Sequence, residues 1–178
     1  ATTTGYMLFK RFNRSISKTS PGVASQNRPS IIFRLADFYL IYAEVANEVN
    51  PSDSRVLTYL NLVRERAGLP KVEILNPGIV GNKELQRAAI QRERQIELAT
   101  EGQRYFDVRR WMIDDKDGEG RQNGYAHGMN VRGTINDTEE FNRVVETEKI
   151  VFNRKMYLQP IPDHEMRKTQ NLVQNPGW

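Results

Sequence analysis

The chain has 178 residues, enough for one domain with a sizeable core, and a formal net charge of +4 from 26 basic and 22 acidic groups. It contains no cysteine, which excludes disulfides, thiolate metal sites and cysteine nucleophiles, and its two histidines, His127 and His164, lie too far apart to predict a histidine-rich metal site. No apolar run approaches the ~20 residues that a membrane-spanning helix requires.

The positive charge is local. Residues 1–34 carry six basic groups (Lys10, Arg11, Arg14, Lys18, Arg28 and Arg34) and no Asp or Glu, which leaves 20 basic and 22 acidic groups in the other 144 residues. A nucleic-acid domain spreads its charge along a face of the fold. A short basic segment set among Ser, Thr, Asn and Pro predicts a solvated or partner-facing strand region instead, and no nucleic-acid partner. The chain opens on Ala1 with no start Met and no signal-like stretch, and reads as a processed or truncated piece of something longer. Tyr6 to Phe12 predicts a strand; residues 15–30 are breakers and small polar residues, hence loop.

From Ile31 to Val49 the spacing predicts a helix. Leu35, Phe38, Tyr39, Tyr42, Ala46 and Val49 share one face, and Leu40 and Ile41 lie towards the other. A helix apolar on both sides is sandwiched between neighbours. Glu44 falls beside Leu40 and Ile41, where a carboxylate needs a partner, with Arg92, Arg94 or Arg64 as candidates; the alternative is that it reaches solvent. Asn50-Pro51-Ser52-Asp53 ends this helix and caps the next, Ser54 to Ala67, whose Val56, Leu60, Val63 and Ala67 form a stripe. Gly68-Leu69-Pro70 then predicts a firm stop, with Gly68 in the left-handed position. Two helices joined by a short turn make an antiparallel hairpin, the building unit of helical solenoids.

After a connector at 71–81, Asn82 is a good N-cap for the longest helical stretch in the chain, which runs towards Met112 with a break or kink at Gly102. Leu85, Ala88, Ala89, Ile96 and Ala99 form a stripe with Arg92 in its middle, which predicts a buried guanidinium paired with a carboxylate from elsewhere in the fold. In the shorter helix that follows, Asp107 is placed to pair with Arg104, Arg110 or the Trp111 N–H, while Tyr105, Val108 and Met112 face inward. Residues 114–140 are rich in glycine and charge and predict a loop with irregular strands. Ile150 to Leu158 reads as a strand, Asp163 caps a short helix from His164 to about Lys168, and the tail ends in an exposed or docking Trp178.

Little in this pattern asks for catalysis. Neither histidine has a Ser and Asp arrangement resembling a triad, and Gly118-Glu119-Gly120 neither follows a strand nor opens a helix. Asp114, Asp115, Asp117 and Glu119 lack calcium-loop spacing, so no metal or cofactor is expected. Glu93 and Glu97, at i and i+4 beside Arg92 and Arg94, could be acid–base machinery, but interhelical ion pairing explains them with less.

Four segments in order (RLADFYLIYAEVANE, LNLVRERAGLP, AIQRERQIELATEGQRYFDVRRW and YLQPIPDHEM with the closing QNPGW) resemble the C-terminal part of the SusD/RagB family. The match covers roughly Arg34 to Trp111 and Tyr157 to Trp178, with Thr100 and Gln103 departing from the family's usual aromatic and His. The resemblance implies a mainly α fold, with a tetratricopeptide-like helical hairpin plus a long helix, short strands and extended loops. It implies that 1–178 is a single C-terminal domain or fragment of an outer-membrane lipoprotein. Such a protein is not an enzyme. It captures glycans or peptides on the outer face, anchored by a lipid on an N-terminal segment absent from this chain, and works with a SusC-like TonB-dependent transporter. Glu44, Arg92, Arg94 and Asp107 are then scaffold ion-pairing residues. For ligand contact the 114–136 loop offers Tyr125 as a stacking face, with His127, Asn123 and Arg132 as polar groups suited to a polysaccharide or oligosaccharide. A helical-repeat interaction domain without a small-molecule ligand is the alternative; a basic nucleic-acid-binding domain is a third reading.

Overall fold

The computed structural model describes Tyr6, Leu8, Lys10 and residues 30–115, 124–130 and 144–178. The strand expected at Tyr6 to Phe12 and the loop at 15–30 fall almost wholly outside these residues. The chain is mainly helical and divides into two compact units, Asn27–Asp107 and a second made of Ala1–Gln26 with Val108–Trp178.

The first unit is built on three helices that pack on one another: α1 (Leu35–Val49), α2 (Arg55–Arg66) and α4 (Lys83–Glu97), with a one-turn α3 (Val72–Leu75) and a 3-10 turn (Pro77–Ile79) between the last two. Helix α1 starts at Leu35 rather than at Ile31, because Arg34 stays extended at φ −151° and reaches across to the end of α4. Asp37 sits in its first turn, where the helix dipole favours a negative charge. Beyond Pro51, the carboxylate of Asp53 accepts from the Arg55 N–H at 2.9 Å and opens α2. The C-terminus of α2 closes as Gly68-Leu69-Pro70 predicts. Gly68 takes φ +77°, its N–H bonds Glu65 O at 3.0 Å, and the Leu69 N–H bonds Arg64 O at 2.9 Å.

The core is formed by Ala36, Leu40 and Ala43 of α1, Val56, Leu60 and Val63 of α2, and Ile90 of α4. On α1 and α2 these lie at i, i+4 and i+7, the inner stripe of a helix, and the two alanines let the backbones approach closely. Asn61 is buried beside them and has both ends satisfied: its Nδ2 donates to Glu73 at 2.8 Å and its Oδ1 accepts from the Val72 N–H at 3.0 Å, which ties α3 to α2. On α1 it is Leu40, with Ala36, Ala43 and Asn47, that faces inward, and Leu35, Phe38 and Val49 that are exposed.

Helix α4 is capped as expected by Asn82, whose side chain accepts from the Leu85 N–H at 3.2 Å. It ends at Glu97, and the chain turns through Thr100 and Gly102, both at positive φ (68° and 85°), before α5 (Gln103–Arg110) begins. A β-branched residue at positive φ is strained, so Gly102 alone does not account for this turn.

In the second unit, β1 (Gly124–Met129) pairs antiparallel with β2 (Val144–Ile150), in a two-stranded ladder interrupted by a bulge between Ala126 and His127. The strand expected over Ile150 to Leu158 is not formed. Ile150 ends β2, and Arg154–Tyr157 turn into a 3-10 helix because Asn153 caps it and the C-terminal Trp178 docks there. The Trp178 Nε1–H donates to both Lys155 O and Leu158 O at 3.0 Å, and the Lys155 ammonium sits 4.3 Å from the ring centroid. Gly177, at φ +88°, makes this approach possible, since a Cβ there would meet the Lys155 Cβ at 3.0 Å. The short helix α6 (Asp163–Met166) follows, and the Gln174 amide clamps Ile161 by accepting from its N–H at 2.8 Å and donating to its carbonyl at 2.9 Å. Tyr105 and Met112, expected to face inward, are 44% and 45% exposed, and Val108 is fully buried.

Candidate functional site

Two sets of residues carry the chemistry that the sequence points to: the charged side of α4, and the segment around Tyr125. On α4 the residues turned inward are Gln86, Ile90, Glu93 and Arg94. Relative to the apolar stripe expected through Leu85, Ala89, Arg92 and Ile96, the helix is rotated by one residue, about 100°. Leu85 and Ile96 are therefore 40% and 58% exposed, and Arg92 lies on the outside. The buried guanidinium is Arg94. Its Nε and Nη2 donate to the two carboxylate oxygens of Asp107 at 2.9 and 3.1 Å, and its Nη1 lies 2.8 Å from Asp37 Oδ1, close enough for a charge pair though not aligned as a hydrogen bond. Asp107 thus takes a guanidinium from α4, a partner that its own helix's spacing does not indicate. Arg64 of α2 donates to Glu93 at 2.8 Å, so Arg64 and Arg94 are engaged by Glu93, Asp37 and Asp107, while Glu44 is half-buried on α1.

A second group sits at the end of α4. Glu97 accepts from Arg34 and from Arg66 of α2, and Arg34 also donates to Glu101 at 2.8 Å and to the Glu97 carbonyl at 2.6 Å. Burial pushes the Glu97 carboxyl up, but the hydrogen bonds from Arg66 and Arg34 outweigh it and hold it below the ordinary value of 4.5. Further along, the hydrogen bond from Arg87, against a smaller opposing effect of desolvation and aided by Lys83, lowers Glu48 from 4.5 to about 2. These pairings tie α4 to α1, to α2 and to Arg34 just before α1, with the glutamates as counter-ions.

Both glutamates are lowered in the folded state, so each contributes stability that is complete above pH 4.5 and fades as the pH falls through the folded value, about 2 for Glu48. The thermal midpoint is accordingly expected to stay level from pH 7 to 5 and to drop from pH 4.5 towards 2, with Glu48→Gln making the drop shallower. Glu48 is 41% exposed, which limits its share to a few tenths of a kcal/mol. A midpoint that rises on acidification would contradict these pairings.

Tyr125 and His127 lie on β1, opposite Lys149 and Glu146 of β2, on either side of the bulge. The backbone thus brings two of the four expected ligand residues onto one short strand within the second unit; Asn123 and Arg132 lie outside the described residues. Among the described residues no group of three or more His, Asp or Glu could hold a metal ion, and no helix is long and apolar enough to cross a membrane. Sequence reasoning missed Asp37, Arg34 and Glu101 as pairing residues. Asp37 was open to detection, since it stands one turn before Leu40 on a helix whose small residues mark the inner face.

The model of the SusD family matches residues 1–178. Among curated proteins, a SusD-like protein P2 from Formosa agariphila is 31% identical over 153 residues, covering 83% of this chain and 26% of the relative. A second from the same organism, SusD-like protein P25, is 44% identical over 89 residues, or 50% of this chain and 16% of that protein. The crystal structure of a SusD-like protein from Bacteroides fragilis superposes with a TM-score of 0.66 at 31% identity, covering 84% of this chain and 26% of that one. The chain therefore spans about a quarter or less of the length of these relatives.

Proposed function

The chain belongs to the SusD family, and from that premise we propose that it is part of a non-catalytic protein that captures glycans, or peptides, at the outer face of the outer membrane. The polypeptide is held there by a lipid anchor outside these residues. It hands its ligand to a SusC-like TonB-dependent transporter. The observation that carries this reading is the match of the family model to all of residues 1–178, supported by a relative that aligns with 83% of the chain. The arginine–carboxylate pairs fit it as well, because they engage charged side chains of the first unit in holding its helices together.

Within this chain the ligand-contacting group is the β1 region, with Tyr125 as the stacking face and His127, Asn123 and Arg132 as polar partners. A ring face and nearby polar edges suit a sugar, whose apolar faces alternate with hydroxyls. The test is an oligosaccharide array followed by titration of the full-length protein with its best ligand. Tyr125→Ala is expected to weaken binding about tenfold, or about 1.4 kcal/mol, with the unfolding midpoint unchanged. Unaltered affinity would remove Tyr125 from the site, and an array on which no glycan binds would turn the search to peptides.

A further inference from the structure

We propose, on the reading of β1 as the ligand-contacting strand, that Lys149 and Glu146 of β2 complete the binding face of Tyr125 and His127. That face takes an anionic sugar, one bearing a carboxylate or a sulfate. The ground is the register: Tyr125 stands opposite Lys149, and His127 opposite Glu146. Residues directly opposite in an antiparallel ladder lie on one face, with Cβ atoms about 4.5–5.5 Å apart, and residues two apart on a strand share a face. Tyr125, His127, Lys149 and Glu146 are therefore placed on one side of the ladder.

The bulge brings the two β2 residues together. Lys149 and Glu146 are three apart, which strict alternation would put on opposite faces. The pairing steps from Glu148, opposite Ala126, to Glu146, opposite His127, so Thr147 is an extra residue that restores Glu146 to the side of Lys149. Bulges recur beside functional sites because they re-aim residues in this way. The other side of the ladder carries Ala126, Gly128, Val145 and Glu148. Gly128 is buried and Lys149 is exposed, which leaves the Tyr125 side as the accessible one.

On this side the cation is placed opposite the stacking residue and the carboxylate opposite the imidazole. Glu146 thus has an N–H donor across the ladder from it, and Lys149 stands next to a sugar stacked on Tyr125. An ammonium favours a carboxylate or sulfate over a hydroxyl there, because a charge-assisted hydrogen bond is roughly twice as strong as a neutral one. A neutral sugar would keep the ring contact and forgo this difference.

The test is an array of uronic-acid and sulfated oligosaccharides, each beside its carboxyl-reduced or desulfated counterpart, probed with the full-length protein. The charged member of a pair is expected to bind about tenfold more tightly, and the pair that shows this tells carboxylate from sulfate. Lys149→Met should abolish the preference by weakening the charged member alone, and Lys149→Arg should restore it. Glu146→Gln, which removes the negative charge on this side, should tighten the charged member about threefold, while Glu148→Gln, on the other side, should leave it unchanged. Tyr125→Ala should weaken both members alike. Equal binding of charged and neutral members, a preference that survives Lys149→Met, or equal responses to Glu146→Gln and Glu148→Gln would overturn the proposal and leave glycan capture through Tyr125 standing. Absence of binding to any glycan, or affinity untouched by Tyr125→Ala, would overturn the reading of β1 and this proposal with it.

Discussion

Replacing Arg94 with methionine is expected to destabilise the protein by about 3–5 kcal/mol, read as a shift of the urea unfolding transition. Arg94 is 3% exposed and neutralises two buried carboxylates, Asp107 (4% exposed) and Asp37 (7%), which methionine would deprive of this counter-charge inside the fold. Arg94→Lys should recover only part of the loss, because an ammonium cannot engage both oxygens of Asp107 as the planar fork does. Arg92→Met, two positions away on the exposed side, should change stability by no more than about 0.5 kcal/mol. Adding Asp37→Asn and Asp107→Asn to Arg94→Met should return much of what was lost, since most of the cost lies in stranded charge. A loss below about 1 kcal/mol for Arg94→Met would show that the group is solvated.

Leu40→Ala should cost about 2–5 kcal/mol in the same measurement. Leu40 is fully buried between Val56, Leu60 and Ile90, and its neighbours on its own helix are Ala36 and Ala43, too small to fill the space it vacates. The cavity is bounded by three helices, so collapse around it would require a backbone shift rather than a change of rotamer. A cost under 1 kcal/mol would mean that the helices close up.

The sequence made some of this plain and hid the rest for identifiable reasons. The α1–α2 hairpin and its stop were legible because their signals are local: an apolar stripe at helical spacing, and Gly-Leu-Pro after it. The orientation of α4 was not, because this helix buries charge. Ranking residues by hydropathy put Leu85 and Ile96 inside and left Arg94 out; in the fold Arg94 is interior because Asp37 and Asp107, 57 and 13 residues away in the chain, meet it there. That Glu93 and Glu97 would pair between helices was readable from their company of arginines, though not the identity of the partners, Arg64, Arg34 and Arg66. The strand expected over Ile150 to Leu158 was misread because its turn depends on Trp178, a contact 20 or more residues away. Of the residues expected to contact a ligand, Tyr125 and His127 were visible as types, and their placement on a bulged strand was not, since β pairing with 144–150 is non-local.

The charged interior of α4 also bears on how the fold responds to heat. Exposing polar surface on unfolding lowers the heat-capacity change that apolar surface raises, so a helix that turns Gln86, Glu93 and Arg94 inward gives a flatter stability curve than one packed with leucine. The cost of stripping water from ions also shrinks as temperature climbs, while the gain from burying hydrocarbon levels off. The Arg94 cluster thus carries a growing share of the stability on warming, and the contact between α4 and its neighbours should be among the last to loosen.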